Sequence, residues 1–261
     1  MAIPKIIHYC WFGKTDIPNE LKQCMNSWNI LKEAGYEIKL WNEENCSCNE
    51  NDFVRYCFNK KKWGFIGDYY RTKVLYEYGG IYLDTDVIVK KPFDDLLDNK
   101  SFMGFSCDCA ICTAVIGSEK GSSFFKGILD MYDNGKYYTE ASFLGKSSAE
   151  DEYGKGNWAP SNEFWTWYLI CTHKNFKLNN KTQKFDDITI YPKSYFELGS
   201  IFNSFYCIHT NYNSWREHQS KNFLRKIKKF FEKNQKIWII IRTILSNYGQ
   251  RRTSFYKYME K

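Results

Sequence analysis

Asp84-Thr85-Asp86 follows the short apolar run Ile81-Tyr82-Leu83 and places two carboxylates two residues apart. On an extended backbone residues i and i+2 point the same way, so both carboxylates can reach one hard cation. Such a cation keeps open positions for phosphate oxygens, so the triplet predicts a metal-bridged diphosphate site. A polar turn that caps a strand would use the same three residues. The segment in front argues for the site. Asp68 and Arg71 lie three residues apart in a helical stretch that runs into Gly79-Gly80, so they share a helix face. Beside a metal–diphosphate site, an acid–guanidinium pair can hold sugar hydroxyls. On the helix alone it would be an ordinary surface ion pair.

The elements that must position these groups are legible as a pattern. Residues 65–80 read as a helix with Asp68 in its first turn, where a carboxylate suits the helix dipole. Val74, Leu75 and Tyr78 continue its apolar side, and a left-handed glycine ends it. The chain then enters a strand at 81–83. Upstream, residues 3–10 and 36–41 read as strands around a helix at 18–33, whose stripe is Leu21, Met25, Trp28 and Leu31. A second helix falls at 50–61. Downstream, 87–89, 101–106, 111–116, 187–191 and 205–209 read as strands, and 121–132 and 161–173 as helices. Gly145 to Ala159 reads as a mobile loop. Alternating β and α elements predict an α/β fold with a mixed sheet.

Three ordered blocks give the chain a family resemblance. Gly67 to Pro92 is similar to the DXD sugar-binding region of glycosyltransferase family 32, and to a block in the glucosylating domains of large clostridial toxins. Ile3 to Gly13 resembles the opening strand and nucleotide loop of that family. Ile190-Tyr191-Pro192, Tyr195-Phe196, Cys207 to Thr210 and Asn213-Ser214-Trp215 resemble its closing blocks. The resemblance implies a Rossmann-like GT-A fold that binds a nucleotide-sugar and manganese or magnesium, and retention of anomeric configuration. It implies that Asp86 binds the metal directly. Asp84 would hold the ribose or donor sugar, or bind the metal through water. Asp68 and Arg71 would orient the donor sugar, and Trp11 would stack on the nucleobase. His209 and the Asn213–Trp215 loop would close over the diphosphate.

Each role has a plainer alternative. Trp11 could be core, His209 a packed strand-end residue, and Ser214-Trp215 a turn with a buried indole. As a neutral imidazole, His209 could instead complete a manganese shell with Asp86. Residues 100–185 carry no recognised block and are where the acceptor is expected.

With 261 residues the chain can bury one large core, and its charge is split along its length. Residues 216–261 carry 13 Lys and Arg against 3 Asp and Glu, whereas 1–215 carry 24 against 27. All of the positive excess therefore lies in a tail, and the chain divides into a catalytic domain at 1–215 and a basic amphipathic helical tail at 216–261. In that tail Leu224, Ile227, Phe231, Trp238, Ile241 and Leu245 fall near helical spacing, with lysines mostly off the stripe. The pattern predicts contact with an anionic membrane surface, Phe230, Phe231 and Trp238 suiting the headgroup boundary. A helix docked on the domain with a solvated basic face is the alternative. No nucleic-acid-binding motif is present. Met1 to Lys5 runs directly into a strand-like segment and no apolar run is long enough to span a bilayer. The expected location is the cytoplasm, at the inner face of the cell membrane.

Of ten cysteines only Cys109 and Cys112 have zinc-like spacing, with no second pair, so free thiols are expected. Cys10, Cys171 and Cys207 are expected to act as small hydrophobes. The function these observations predict is metal-dependent transfer of a sugar from a nucleotide-sugar, UDP-linked, to a growing, lipid-linked bacterial polysaccharide or oligosaccharide such as capsule. A catalytically inactive sugar-binding protein, or a metal-dependent phosphatase or nucleotidyltransferase, are the alternatives. Because the aspartates lie far upstream, the tail is expected to be dispensable for donor hydrolysis.

Overall fold

The computed structural model describes residues 2–134, 160–212, 234–253 and 255–259. In chain order the first half contains β1 (Ile6–Cys10), α1 (Asn19–Asn26), α2 (Asn29–Glu33), β2 (Glu37–Trp41), α3 (Asp52–Asn59), α4 (Trp63–Tyr78), β3 (Gly80–Leu83) and β4 (Val87–Val89). Then come β5 (Ser101–Cys107), β6 (Ala110–Ser118), α5 (Ser123–Asp133), α6 (Ser161–Thr172), β7 (Gln183–Lys184) and β8 (Thr189–Tyr191). The short α7 (Lys193–Phe196), β9 (Cys207–His209) and α8 (Gln235–Gly249) complete the described strands and α-helices. The expected α/β fold with a mixed sheet is present. The order is β2-β1-β3-β6-β5-β8-β7, with β4 and β9 forming a separate two-stranded ladder.

The sheet has two halves of different character. β1 pairs in parallel with β2 on one side and β3 on the other, and β6 then runs antiparallel to both β3 and β5. Both faces are covered. Phe53, Val54, Ile66, Tyr69, Leu75, Phe125 and Trp165 fill one side, and Trp28, Leu31, Phe93, Phe196 and Tyr206 the other. β3 serves both layers, with Tyr82 on the first side and Ile81 and Leu83 on the second, as strand alternation requires. Truncating a fully buried ring such as Trp165 to alanine costs about 3–5 kcal/mol.

Two local expectations change. The helix expected at 18–33 breaks into α1 and α2 at Trp28, which turns inward so that its Nε1 donates to the Val87 carbonyl at 2.9 Å. α4 starts at Trp63, so Asp68 lies in its second turn, where the dipole argument no longer applies, and Tyr78 is exposed. α4 is buried on nearly all sides, which is why no clean stripe marks it in the sequence. Gly79 (φ +67) and Gly80 (φ +107) join it to β3 without a loop. A Cβ at Gly80 would lie 2.6 Å from the Ile6 carbonyl oxygen and 2.8 Å from His8 Nε2, so only glycine fits.

All ten cysteines are thiols outside any disulfide. Cys207 is buried as expected, but Cys171 is exposed because α6 turns Phe164, Trp165 and Leu169 inward instead. The mobile loop expected at 145–159, and Leu224, Ile227, Phe230 and Phe231 of the tail, lie outside the described residues. The described part of the tail contacts the domain. The Asn234 side chain caps α8, Ile239 and Arg242 are buried, and Phe255 joins the core around Trp165. Ile237, Ile240, Ile244, Leu245 and Tyr248 of α8 face solvent, and no described helix is long and apolar enough to cross a membrane.

Candidate donor and metal site

β1 is flanked by β2 and β3, so the chain leaves it in one direction and returns on the other side. The gap beyond the carboxyl ends of such strands is where open α/β sheets bind ligands. Trp11 stands just past β1 and Asp84 just past β3 at that gap. The Asp84 backbone N–H donates to the Ala114 carbonyl at 2.9 Å, which carries the β3–β6 pairing one residue beyond the strand.

His209 reaches the same place by strand register. Val87 of β4 pairs with His209 of β9, the Thr210 N–H donates to the Asp86 carbonyl, and the Tyr212 N–H donates to Asp86 Oδ2 at 2.7 Å. His209 Nε2 therefore faces Asp86 Oδ1 at 3.2 Å. Asp84, Asp86 and His209 offer ligand atoms that all lie within 4.8 Å of one another. Two carboxylate oxygens and an imidazole nitrogen form a mixed oxygen–nitrogen donor set, so the side chains present fit a divalent cation.

The sugar-side pair is equally specific. Arg71 Nη2 lies 2.9 Å from Asp68 Oδ1 and 3.3 Å from Asp84 Oδ1, so one nitrogen links the helix acid to the strand-end acid. Arg71 Nη1 donates to the Thr113 carbonyl, and the guanidinium stacks over the Tyr82 ring at 4.7 Å. The surface-pair alternative fails for Asp68 and Arg71, because both are buried.

Burial and neighbours divide the charges. Burial raises Asp68 to about 6 despite the Arg71 guanidinium, which lowers it. Burial also raises Asp84, again against Arg71. Burial works the same way on Asp86, but His209 and the Tyr212 N–H overcome it and hold this carboxyl at about 2. For His209 burial opposes the charge, yet Asp86 and Glu197 hold its pKa well above the ordinary histidine value. The Cys112 thiol beside it is pushed up to about 11, mainly by burial.

The structure thus brings together Asp68, Arg71, Asp84, Asp86 and His209. Trp11 is half-buried just past β1, its Nε1 donating to the Thr15 carbonyl at 2.6 Å. Ser214 and Trp215 lie outside the described residues. Sequence reasoning missed Tyr82, whose hydroxyl donates to Asp84 Oδ1 at 3.0 Å. The two-residue alternation with Asp84 was a usable signal for it. It also missed Glu197, which accepts from His209 Nδ1 at 2.7 Å. Glu197 stands beside the quoted Tyr195-Phe196, and only the folded chain shows where it points.

Residues 18–103, which include all four of Asp68, Arg71, Asp84 and Asp86, match the family described as a glycosyltransferase sugar-binding region containing a DXD motif. An uncharacterised glycosyltransferase of Acanthamoeba polyphaga mimivirus is 27% identical over 91% of this chain and 92% of its own length. Inositol phosphoceramide mannosyltransferase 1 of Schizosaccharomyces pombe is 34% identical over 39% of this chain, and the match spans 33% of that enzyme. Among solved structures, the PaToxG glycosyltransferase aligns with a TM-score of 0.47 at 16% identity, covering 66% of this chain and 71% of its own.

Proposed function

We propose, from the match of residues 18–103 to a glycosyltransferase sugar-binding region that contains a DXD motif, that the chain is a metal-dependent retaining hexosyltransferase. The donor is a nucleotide-sugar, UDP-linked. The acceptor is a growing, lipid-linked bacterial polysaccharide or oligosaccharide. The observation that supports this most is the convergence of Asp84, Asp86 and His209 at the strand end where Arg71 bridges Asp68 to Asp84.

In this reading Asp86 and His209 hold the divalent cation, with Asp84 beside them. When bound, the cation supplies positive charge for the departing diphosphate. Asp68 and Arg71 orient the donor sugar, and their burial excludes water from that side of it. Trp11 stacks on the base, and Ser214 and Trp215 cover the diphosphate. The bond from the anomeric carbon to the diphosphate oxygen breaks, and a bond from the same face to the acceptor oxygen forms. The acceptor proton passes to the leaving diphosphate, so no protein nucleophile is required. The basic tail, with the outward apolar face of α8, rests on an anionic membrane surface and places the enzyme beside lipid-linked acceptor.

A panel of UDP-glucose, UDP-galactose, UDP-N-acetylglucosamine and GDP-mannose, incubated with the full chain and manganese, tests the chemistry. Release of nucleoside diphosphate from one donor, stopped by EDTA, is expected. No release from any donor would overturn the transfer reading, and release indifferent to EDTA would overturn the metal. Sedimentation with phosphatidylserine vesicles, reversed by salt, is the expected result for the tail. Full-length protein that ignores such vesicles at low salt leaves α8 as a docked helix only.

A further inference from the structure

Glu197 has no role in the site as proposed above, yet donors converge on its buried carboxylate. Oε2 accepts from His209 Nδ1 at 2.7 Å and from the Cys112 thiol at 3.3 Å. Oε1 accepts from Asn211 Nδ2 at 2.6 Å and from Arg242 Nη2 at 3.4 Å. The backbone joins in. The His209 N–H donates to the Glu197 carbonyl at 3.1 Å, and Arg242 Nη1 donates to the same oxygen at 3.2 Å. Arg242 also donates to the His209 carbonyl. One guanidinium, projecting inward from α8, therefore grips both Glu197 and His209.

An imidazole that commits Nδ1–H to a carboxylate has its ring plane fixed and keeps the Nε2 lone pair for the opposite side. On that opposite side lies Asp86 Oδ1, 3.2 Å from Nε2. We propose that Glu197 is a positioning residue that fixes the His209 ring with Nε2 toward the cation site, and that Arg242 of α8 holds Glu197 in that role. This rests on the cation site proposed above. It makes α8 a working part of the donor centre, against the expectation that the tail is dispensable for donor hydrolysis. It also gives the helix two faces with separate tasks. Ile239 and Arg242 turn inward to the site, and Ile237, Ile244 and Tyr248 turn outward.

Cys112, Glu197 and His209 also have ligand atoms within 4.8 Å of one another, a group that could surround a softer ion. The Cys112 thiol instead aims its hydrogen at Glu197, in the same sense as the other donors to that carboxylate. An ion there would take the Nδ1 side of the ring and displace the hydrogen that Nδ1 gives to Glu197.

Manganese affinity of the full chain, followed by the EPR signal of free Mn²⁺, tests the proposal, with the metal-free melting temperature measured alongside. Glu197→Gln and Arg242→Met are each expected to bind Mn²⁺ about 10- to 100-fold more weakly than wild type, as loss of an outer partner of a metal-ligating histidine does. Asp86→Ala should lose more, and Cys112→Ala should stay within about threefold of wild type. Folded Glu197→Gln with wild-type affinity would overturn the proposal while leaving the metal site intact, even if its melting temperature falls. A loss in Cys112→Ala as large as in Asp86→Ala would move the ion to the thiol side and overturn it too. Wild-type protein that binds no Mn²⁺ would overturn the site reading and this proposal together. Should the variants not fold, ¹⁵N-histidine spectra of wild type with Mg²⁺ decide. Nδ1 protonated and Nε2 bare is expected for His209, and the reverse tautomer would overturn the proposal.

Discussion

His8 is a buried imidazole and His209 a half-buried one, both at strand positions of one fold; burial opposes positive charge on each, yet their pKa values move in opposite directions. His8, in the parallel half, accepts at Nδ1 from Trp41 Nε1 at 3.0 Å and meets the Gly79 carbonyl at Nε2, 2.7 Å away. An indole N–H can only donate, so Nδ1 carries no proton and Nε2–H donates to Gly79. The ring is neutral, its pKa brought down to about 4 chiefly by burial. His209 has carboxylates on both sides, Asp86 and Glu197, which outweigh its burial. The lesson is that depth sets the cost of charge and neighbours decide whether it is met. In this fold the neutral histidine ties α4 to β1 and β2, and the one whose pKa its carboxylate neighbours hold up stands where chemistry is proposed and where a bound cation would take the place of the Nε2 proton.

The strongest way to break the contrast is to remove one of the His209 carboxylates. Asp86→Ala should lower metal-dependent donor hydrolysis by at least about 100-fold, because a direct ligand to the cation is worth several kcal/mol in the transition state. The protein should stay folded. A folded variant with near-wild-type turnover would show that the two aspartates are a strand cap.

A smaller effect is expected at His8. Its pKa of about 4 when folded lies below the value of about 6.5 of an unfolded chain. Between those values the unfolded chain binds the proton and the folded chain does not. This term of stability is therefore complete above pH 6.5 and is lost as pH falls toward 4, by up to about 3 kcal/mol. Urea unfolding of wild type and His8→Gln at pH 7.5 and 4.5 measures it. The variant should lose less stability over that interval, and equal losses would mean that His8 is not held neutral.

Arg71 sharpens the contrast with a third buried group, a cation that burial opposes and that Asp84, Tyr82 and Asp68 sustain. Arg71→Lys keeps the charge and loses the planar fork that reaches Asp68, Asp84 and Thr113 at once. Turnover should fall about tenfold, or 1.4 kcal/mol, while affinity for free nucleoside diphosphate stays within about twofold. Equal losses in both would move Arg71 from the sugar to the phosphates.

The local parts of this site were legible because their spacing is a property of one element. Asp68 and Arg71 share a helix turn, Asp84 and Asp86 share a strand end, and the glycine pair between them marks the junction. The alternation of elements was equally readable, down to the β5–β6 hairpin. The partners brought in by register and packing were not. His209 was picked out by its strand-end position, but its meeting with Asp86 depends on β4 pairing with β9. Glu197 and Arg242 carry no local pattern at all. The break at Trp28 was hidden because a residue on the helical stripe also serves as an anchor for β4.

The Gly79-Gly80 junction fixes how the helix acid and the strand-end acids sit relative to one another. Gly79 is boxed in by Lys120, Pro4 and Ser118, and Gly80 by Ile6 and His8. No slack chain lies between α4 and β3, so the acid–guanidinium pair and the strand-end aspartates are held as one piece. Thr210 and Tyr212 fasten to Asp86 through two backbone N–H groups, which stitches the chain after β9 onto that piece as well.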